Sequence, residues 1–197
     1  MKYLIASDIH GSAYWCRKLL ETFDALHADR LVLLGDLLYH GPRNDLPDEY
    51  APKEVARLLN ERRSVILAIR GNCDAEVDQM VLDFPIMAEC GMLEVAAASS
   101  QTAEPDATVP SQAVQPDSPL TLYLTHGHHY SIDNPLPIPA GSILLYGHTH
   151  IPLDEVRGGI RFINPGSVSI PKAGSVHSCL LLEDGAFSFI DLSHATS

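Results

Sequence analysis

Basic side chains, paired cysteines and long apolar runs are what this sequence has least of. Lysine and arginine number 13 against 25 aspartates and glutamates, a formal net charge of −12. A surface of that sign repels nucleic-acid backbones and anionic lipid headgroups, so strong nucleic-acid binding is not expected and small substrates are favoured. The four cysteines, Cys16, Cys73, Cys90 and Cys179, form no CxxC pair. That usage lacks the density of a stapled secreted domain and predicts free thiols in a reducing compartment. No stretch reaches the roughly 18 apolar residues of a membrane span, and Met1–Ser7 runs straight into Asp8 without a cleavage region. A cytoplasmic protein with no membrane partner is the expectation. The one tryptophan, Trp15, and its neighbour Tyr14 open a helix and read as packing or interface residues rather than a base-stacking platform, as do Met80 and Phe84.

What is present is enough for a core. At 197 residues and 46% hydrophobic, one domain spanning 1–197 is expected. Apolar Tyr3–Ser7 ends in a polar cluster, and Ser12 precedes helically spaced Tyr14–Leu26. The pattern returns as Arg30–Leu34, a loop over Gly35–Tyr50, and a helix over Ala51–Glu61 with Pro52 in its first turn. It returns again as Ser64–Ile69, which runs into Arg70-Gly71-Asn72-Cys73-Asp74. Such alternation predicts βαβ units and a largely parallel sheet whose ligands lie beyond the carboxyl ends of the strands. After Pro85, Met92–Val95 and Leu120–Thr125 read as strands flanking 96–119, an Ala-, Ser- and Pro-rich stretch expected to be a flexible insertion. Ser142–Tyr146 reads as a buried strand. Leu153–Val156 with Ile160–Ile163, and Cys179–Leu182 with Phe187–Ile190, read as hairpins, predicting a mainly antiparallel C-terminal half. The fold class expected is α/β, with two mixed β-sheets packed face to face as a sandwich flanked by helices.

Polar clusters follow five of the strands. Asp8-Ile9-His10 has i, i+2 spacing, which in an extended chain puts both side chains on one side. Gly35-Asp36 combines close backbone approach with a carboxylate able to bridge two cations. Asn72 offers an amide oxygen, and His126-Gly127-His128 and Gly147-His148-Thr149-His150 supply imidazoles. Buried Asp and His are costly unless coordinated or paired, so five such clusters point to divalent metal. Carboxylate, amide and imidazole without thiolate pairs suit Mn²⁺ first, with Zn²⁺, Fe²⁺, Mg²⁺, Co²⁺ or Ni²⁺ as other occupants, rather than a structural zinc site.

In this order, DxH, GD, GN, H and GHxH from Asp8 to His150 resemble the calcineurin-like metallophosphoesterases. His40-Gly41-Pro42-Arg43-Asn44, Tyr50-Ala51-Pro52, Arg70–Met80 and Asn164–Lys172 are similar to the bacterial YfcE-type phosphodiesterases within that family. The resemblance implies two divalent cations, one on Asp8, His10 and His150, the other on Asn72, His126 and His148, with Asp36 bridging. It implies hydrolysis of a small phosphodiester by a hydroxide shared between the cations. Asn72, Cys73, Asp74 and His126 are the candidate catalytic group, and Arg43 and His128 the candidate substrate contacts. Many relatives carry histidine where this chain has Cys73, a poorer proton donor at neutral pH that reads as a small residue filling space beside the metals. Asn164–Lys172 reads first as a Pro-Gly turn. Competing readings are a Vps29-like protein-binding scaffold, a phosphomonoesterase and a nuclease. The default assembly is a homo-oligomer.

Overall fold

The computed structural model describes residues 1–96 and 119–194. The expected insertion at 96–119 therefore lies, apart from its two end residues, outside the described part. One sheet contains β1 (Tyr3–Ala6), β2 (Arg30–Leu33) and β3 (Ile66–Ala68) in parallel, extended on the β1 side by antiparallel β9 (Ser178–Glu183) and β10 (Ala186–Asp191). The other has the order β4 (Cys90–Val95), β5 (Leu120–Thr125), β6 (Ile143–Leu145), β8 (Ile160–Asn164), β7 (Leu153–Arg157). Helices α1 (Ala13–Ala25) and α2 (Pro52–Asn60) follow β1 and β2, and a single-turn α3 (Glu76–Gln79) follows β3. Among the described residues no helix is long and apolar enough to cross a membrane.

Two-sided burial explains why β1 reads as a continuous apolar run. Tyr3 and Ile5 enter the core between the sheets with Leu122, Leu124 and Leu145, whereas Leu4 and Ala6 face the helices with Leu19, Phe23 and Leu59. Each fully buried aliphatic side chain contributes about 1.5–3 kcal/mol, so these layers fix the strand ends firmly. Helix α1 starts where Ser12 Oγ accepts the Trp15 N–H at 3.3 Å, and α2 starts at Pro52, whose missing N–H needs no partner there. Trp15 and Phe84 are buried, whereas Tyr14 and Met80 are exposed.

The C-terminal half is mainly antiparallel, as expected, with one exception. Its outer pairs, β4–β5, β7–β8 and β9–β10, are antiparallel, but the centre of the second sheet, β5–β6–β8, is parallel. The two hairpins carry Gly-Gly and Asp-Gly turns that announce them. The crossover from β5 to β6 has no such local mark: Ile132, Leu136 and Ile138 carry it over the outer face of the sheet against Leu144, Tyr146 and Phe162. The carboxyl ends of β1, β2 and β3 thus meet those of β5 and β6 along one edge.

Candidate active site

The parallel pairing of β1 with β2 continues past the strands. Asp8 N–H donates to Gly35 O (3.1 Å) and His10 N–H to Asp36 O (2.9 Å), so the first two polar clusters lie side by side. Between β5 and β6, Gly147 N–H donates to His126 O at 2.7 Å. Extended spacing is not what brings each i, i+2 pair together. Asp8, His10, Asp36, His148 and His150 all adopt left-handed backbone, with φ of 61°, 48°, 57°, 66° and 62°. Non-glycine residues enter that region seldom and at a cost, and here the surroundings hold them there. Tight turns, rather than straight strand, aim these side chains inward.

The bracing comes from Asn164–Lys172, which is more than the simple turn its Pro-Gly suggests. Ser167 and Ser169 hydroxyls both donate to Asp8 O, at 3.0 and 3.2 Å, while buried Asn164 donates through Nδ2 to Gly147 O (2.7 Å) and Thr149 Oγ1 (3.0 Å). Close approach also requires glycine at two points. A Cβ on Gly147 would stand 1.9 Å from Ser7 Oγ, and one on Gly71 would stand 2.1 Å from Asp36 Oδ1.

The donor atoms converge. His10 Nε2 lies 3.5 Å from Asp8 Oδ1, 3.6 Å from Asp36 Oδ2 and 3.3 Å from His150 Nε2. His150 Nε2 is 3.3 Å from Asp8 Oδ1, and His126 Nε2 is 3.4 Å from Asp36 Oδ2 and 3.1 Å from Asn72 Oδ1. The three imidazoles are oriented by backbone carbonyls that can only accept: Tyr39 O at 2.8 Å from His10 Nδ1, Leu34 O at 2.6 Å from His126 Nδ1, and Ile170 O at 2.6 Å from His150 Nδ1. Each Nδ1 must donate, which leaves Nε2 to face the centre. His10 and His150 then confront one another with a proton or a cation required between them.

Among the described residues, buried Asp8 Oδ1 meets no hydrogen-bond donor. An orphaned carboxylate oxygen ringed by imidazole nitrogens is a cation's environment, so the residues fit divalent metal. Among the described residues three groups have donor atoms within 4.8 Å of one another: Asp8, His10 and His150; Asp8, Asp36 and His126; and His10, Asp36 and Cys73. His148 stands beside His126, ring centroids 5.2 Å apart, and lines the cleft outside these groups.

The electrostatics match. Burial raises the Asp8 carboxyl, but the His10 and His150 imidazoles more than offset it and hold Asp8 well below the usual range. Burial opposes protonation of His126, yet the Asp36 carboxylate lifts it to about 9. His10 is likewise raised by Asp8 against burial, and His148 is lowered by burial and by His126. Burial and the Asp36 carboxylate raise the Cys73 thiol, which therefore stays protonated at neutral pH.

A cleft of about 500 Å³ opens above these donors, lined among others by His10, Asp36, Arg43, Asn72, Cys73 and Lys172. Two of the sequence candidates, Asp74 and His128, lie off the cleft wall. Asp74, grouped with the catalytic residues, is buried beneath the site and accepts the N–H groups of Asp36 (2.8 Å), Leu37 (2.8 Å) and Gly71 (2.7 Å), so it positions the loops that carry Asp36 and Asn72. His128 does not line the cleft. Its ring stands 4.0 Å from that of His129, 5.5 Å from His126 and 6.2 Å from His148, so it lies beside the donor set, and burial together with the neighbouring imidazoles lowers its pKa to about 4. Lys172 in the cleft wall went unread, because its only local signal is the turn around it.

A family model described as "Calcineurin-like phosphoesterase superfamily domain" matches residues 1–184. The chain belongs to the calcineurin-like phosphoesterase superfamily. It is 45% identical over 193 residues to the phosphodiesterase YfcE of Escherichia coli K12, covering 98% of this chain and 93% of that protein. The solved structure of YfcE, described as a phosphoesterase from E. coli, is similar with a TM-score of 0.83 and 42% identity over 100% of this chain and 96% of that one. Vps29 from Entamoeba histolytica has a TM-score of 0.52 at 18% identity, covering 96% and 97% of the two chains, a likeness of fold alone. Membership of the family implies divalent cations, in keeping with the donor set.

Proposed function

We propose that this chain is a binuclear, metal-dependent phosphodiesterase acting on a small phosphodiester. The observation that carries the reading is the buried donor set, in which Asp36 Oδ2 lies 3.6 Å from His10 Nε2 and 3.4 Å from His126 Nε2, between two groups of ligands. The identity to YfcE supports the diester as the substrate class. In this reading Asp8, His10 and His150 hold one cation, Asn72, His126 and His148 the other, and Asp36 serves both. Bound there, divalent ions supply positive charge to phosphoryl oxygens and make water acidic enough to act near neutral pH.

The remaining work belongs to the protein. The backbone carbonyls of Tyr39, Leu34 and Ile170 hold the imidazoles in one tautomer, and Asp74 fixes the loops after β2 and β3. Arg43, at the rim of the cleft, is placed to contact the substrate. Cys73 faces the same cleft as a neutral thiol, so the departing alcohol receives no charged assistance from it. Mixed carboxylate, amide and imidazole donors admit Mn²⁺, the first expectation for this site, and equally Fe²⁺, Co²⁺, Ni²⁺, Zn²⁺ or Mg²⁺. Four free cysteines support a cytoplasmic setting.

Hydrolysis of an aryl phosphodiester, measured after exhaustive chelation and again after adding Mn²⁺, tests the reading. Activity abolished by chelator and restored by the cation is expected; full turnover in excess chelator would overturn it.

A further inference from the structure

Arg43 and Lys172 both line the cleft, one from the loop after β2 and the other from the loop after β8. Of the 13 lysines and arginines, eight have a carboxylate within 4.0 Å; among the described residues Arg30, Arg43, Lys53, Arg63 and Lys172 have none, and of these five Arg43 and Lys172 line the cleft, in a chain of net charge −12. Each stands on a braced loop. Lys172 N–H donates to His150 O at 3.2 Å, and Lys172 O accepts from the Ser175 amide and hydroxyl at 3.0 and 2.7 Å. Beside Arg43, Asn44 Nδ2 donates to His40 O at 2.8 Å and Asn44 N–H to Gly41 O at 3.4 Å. Uncommitted cations on fixed backbone, next to the buried donor set, are placed to meet an anion.

That anion is not the diester phosphoryl alone. Resting on the phosphodiesterase reading above, two divalent ions set against the carboxylates of Asp8 and Asp36 leave the centre positive, already more than a singly charged phosphodiester needs. Two further cations have work only if the substrate carries more negative charge elsewhere. We infer that Arg43 and Lys172 select phosphodiesters whose second arm bears its own anionic group, a carboxylate or a phosphate, and hold that group at the rim. Arg43 also borders an adjoining hollow of about 470 Å³ that contains Asp45 and Asp48. Acidic groups there repel an anionic arm and direct it to the side where Lys172 lies.

The test uses three esters that share a 4-nitrophenyl leaving group and differ in the other arm: propyl, 3-carboxypropyl and 3-aminopropyl. With Mn²⁺-loaded protein, KM for the carboxypropyl ester should be about tenfold below that of the propyl ester, the effect of one good charged contact. The ratio should fall towards one in Lys172→Met, in Arg43→Met and with rising salt, because rim charges are screened within about 8 Å at physiological ionic strength. Calorimetric binding of propylphosphonate and 3-carboxypropylphosphonate should give the same ratio and the same loss, and unchanged melting temperatures exclude misfolding of the variants. Lys172→Gln serves as a second variant. Equal KM values for the propyl and carboxypropyl esters, a preference for the aminopropyl ester, or a ratio that survives both substitutions would overturn the inference. Failure to hydrolyse the propyl ester at all would instead sink the phosphodiesterase reading.

Discussion

The contact between Gly71 and Asp36 makes a sharp test of how the site is built. Replacing Gly71 with alanine places a Cβ 2.1 Å from Asp36 Oδ1 and 2.3 Å from Asp36 N. Carbon-to-oxygen contacts of even the closest favourable kind settle at about 3.3–3.6 Å, so something must retreat by roughly 1 Å. The Asp36 backbone resists, since its N–H is held by Asp74 Oδ2 at 2.8 Å and its carbonyl by His10 N–H at 2.9 Å. The Asp36 carboxylate therefore has to turn away from both imidazoles. Overpacking of this sort costs about 1–3 kcal/mol, which for a chain of this length lowers the melting temperature by roughly 2–4 °C per kcal/mol. Displacing a positioning group by about 1 Å costs on the order of 10²-fold in rate. Steady-state hydrolysis of an aryl diester at saturating Mn²⁺, beside a thermal melt, reads both effects. Gly185→Ala is the comparison: in the turn between β9 and β10 it carries a backbone strain at φ +80° that Gly71 does not have, but its Cβ meets no described atom within 4 Å. It should lower the melting temperature while leaving kcat alone. A folded Gly71→Ala protein with the unchanged chain's kcat would refute the argument that this carboxylate must stand where it does.

Other expectations follow from the same geometry. Cys73→Ala should retain aryl-diester hydrolysis, because burial and Asp36 keep the thiol protonated, whereas Cys73→His should speed alkyl esters more than aryl esters, within the ~10²–10⁴-fold reach of positioned acid catalysis. Rates across leaving groups of graded pKa check this, and a steep loss in Cys73→Ala would show the thiol to be catalytic. Asp74→Asn turns an amide donor towards one of three backbone N–H groups, losing a charge-assisted bond of about 1.5–3 kcal/mol, partly offset because burial already raises this carboxyl. A clear drop in melting temperature is expected, and an equally stable variant would contradict the positioning role. In metal-free protein, the raised pKa of His126 means the folded state holds a proton that the unfolded chain releases near 6.5. That stabilisation is complete below about 6.5 and is lost as pH rises through about 9. Denaturant midpoints of chelated protein should fall across this window, and a flat profile would show that the His126–Asp36 pair contributes nothing.

Much of the site was legible because its donors come straight after apolar strands. Asp8, Asp36 and His126 could be read in order, since nothing but a strand end explains an apolar run that stops at such a residue. The mechanism of convergence was not legible: left-handed turns at Asp8, His10 and His150 look identical to extended chain in a list of residues. Nor were the orienting groups, because Tyr39 O, Leu34 O and Ile170 O are backbone atoms that carry no side-chain signature. Asp74 follows from the family resemblance and His128 from its i, i+2 spacing; packing puts the first beneath the site and the second beside His126 and His148 but off the cleft wall. The parallel β5–β6–β8 core escaped for a related reason, as its crossover is held by scattered apolar contacts rather than a turn motif.

Metal content per chain, measured together with turnover, tests the central claim most directly. Protein dialysed against Mn²⁺ should bind two ions per chain, with diesterase activity rising only as the second is taken up, and Asp36→Asn should weaken both ions where His150→Ala weakens chiefly one. Full activity with a single ion, or equal effects of the two substitutions on both sites, would contradict a centre in which Asp36 joins two cations.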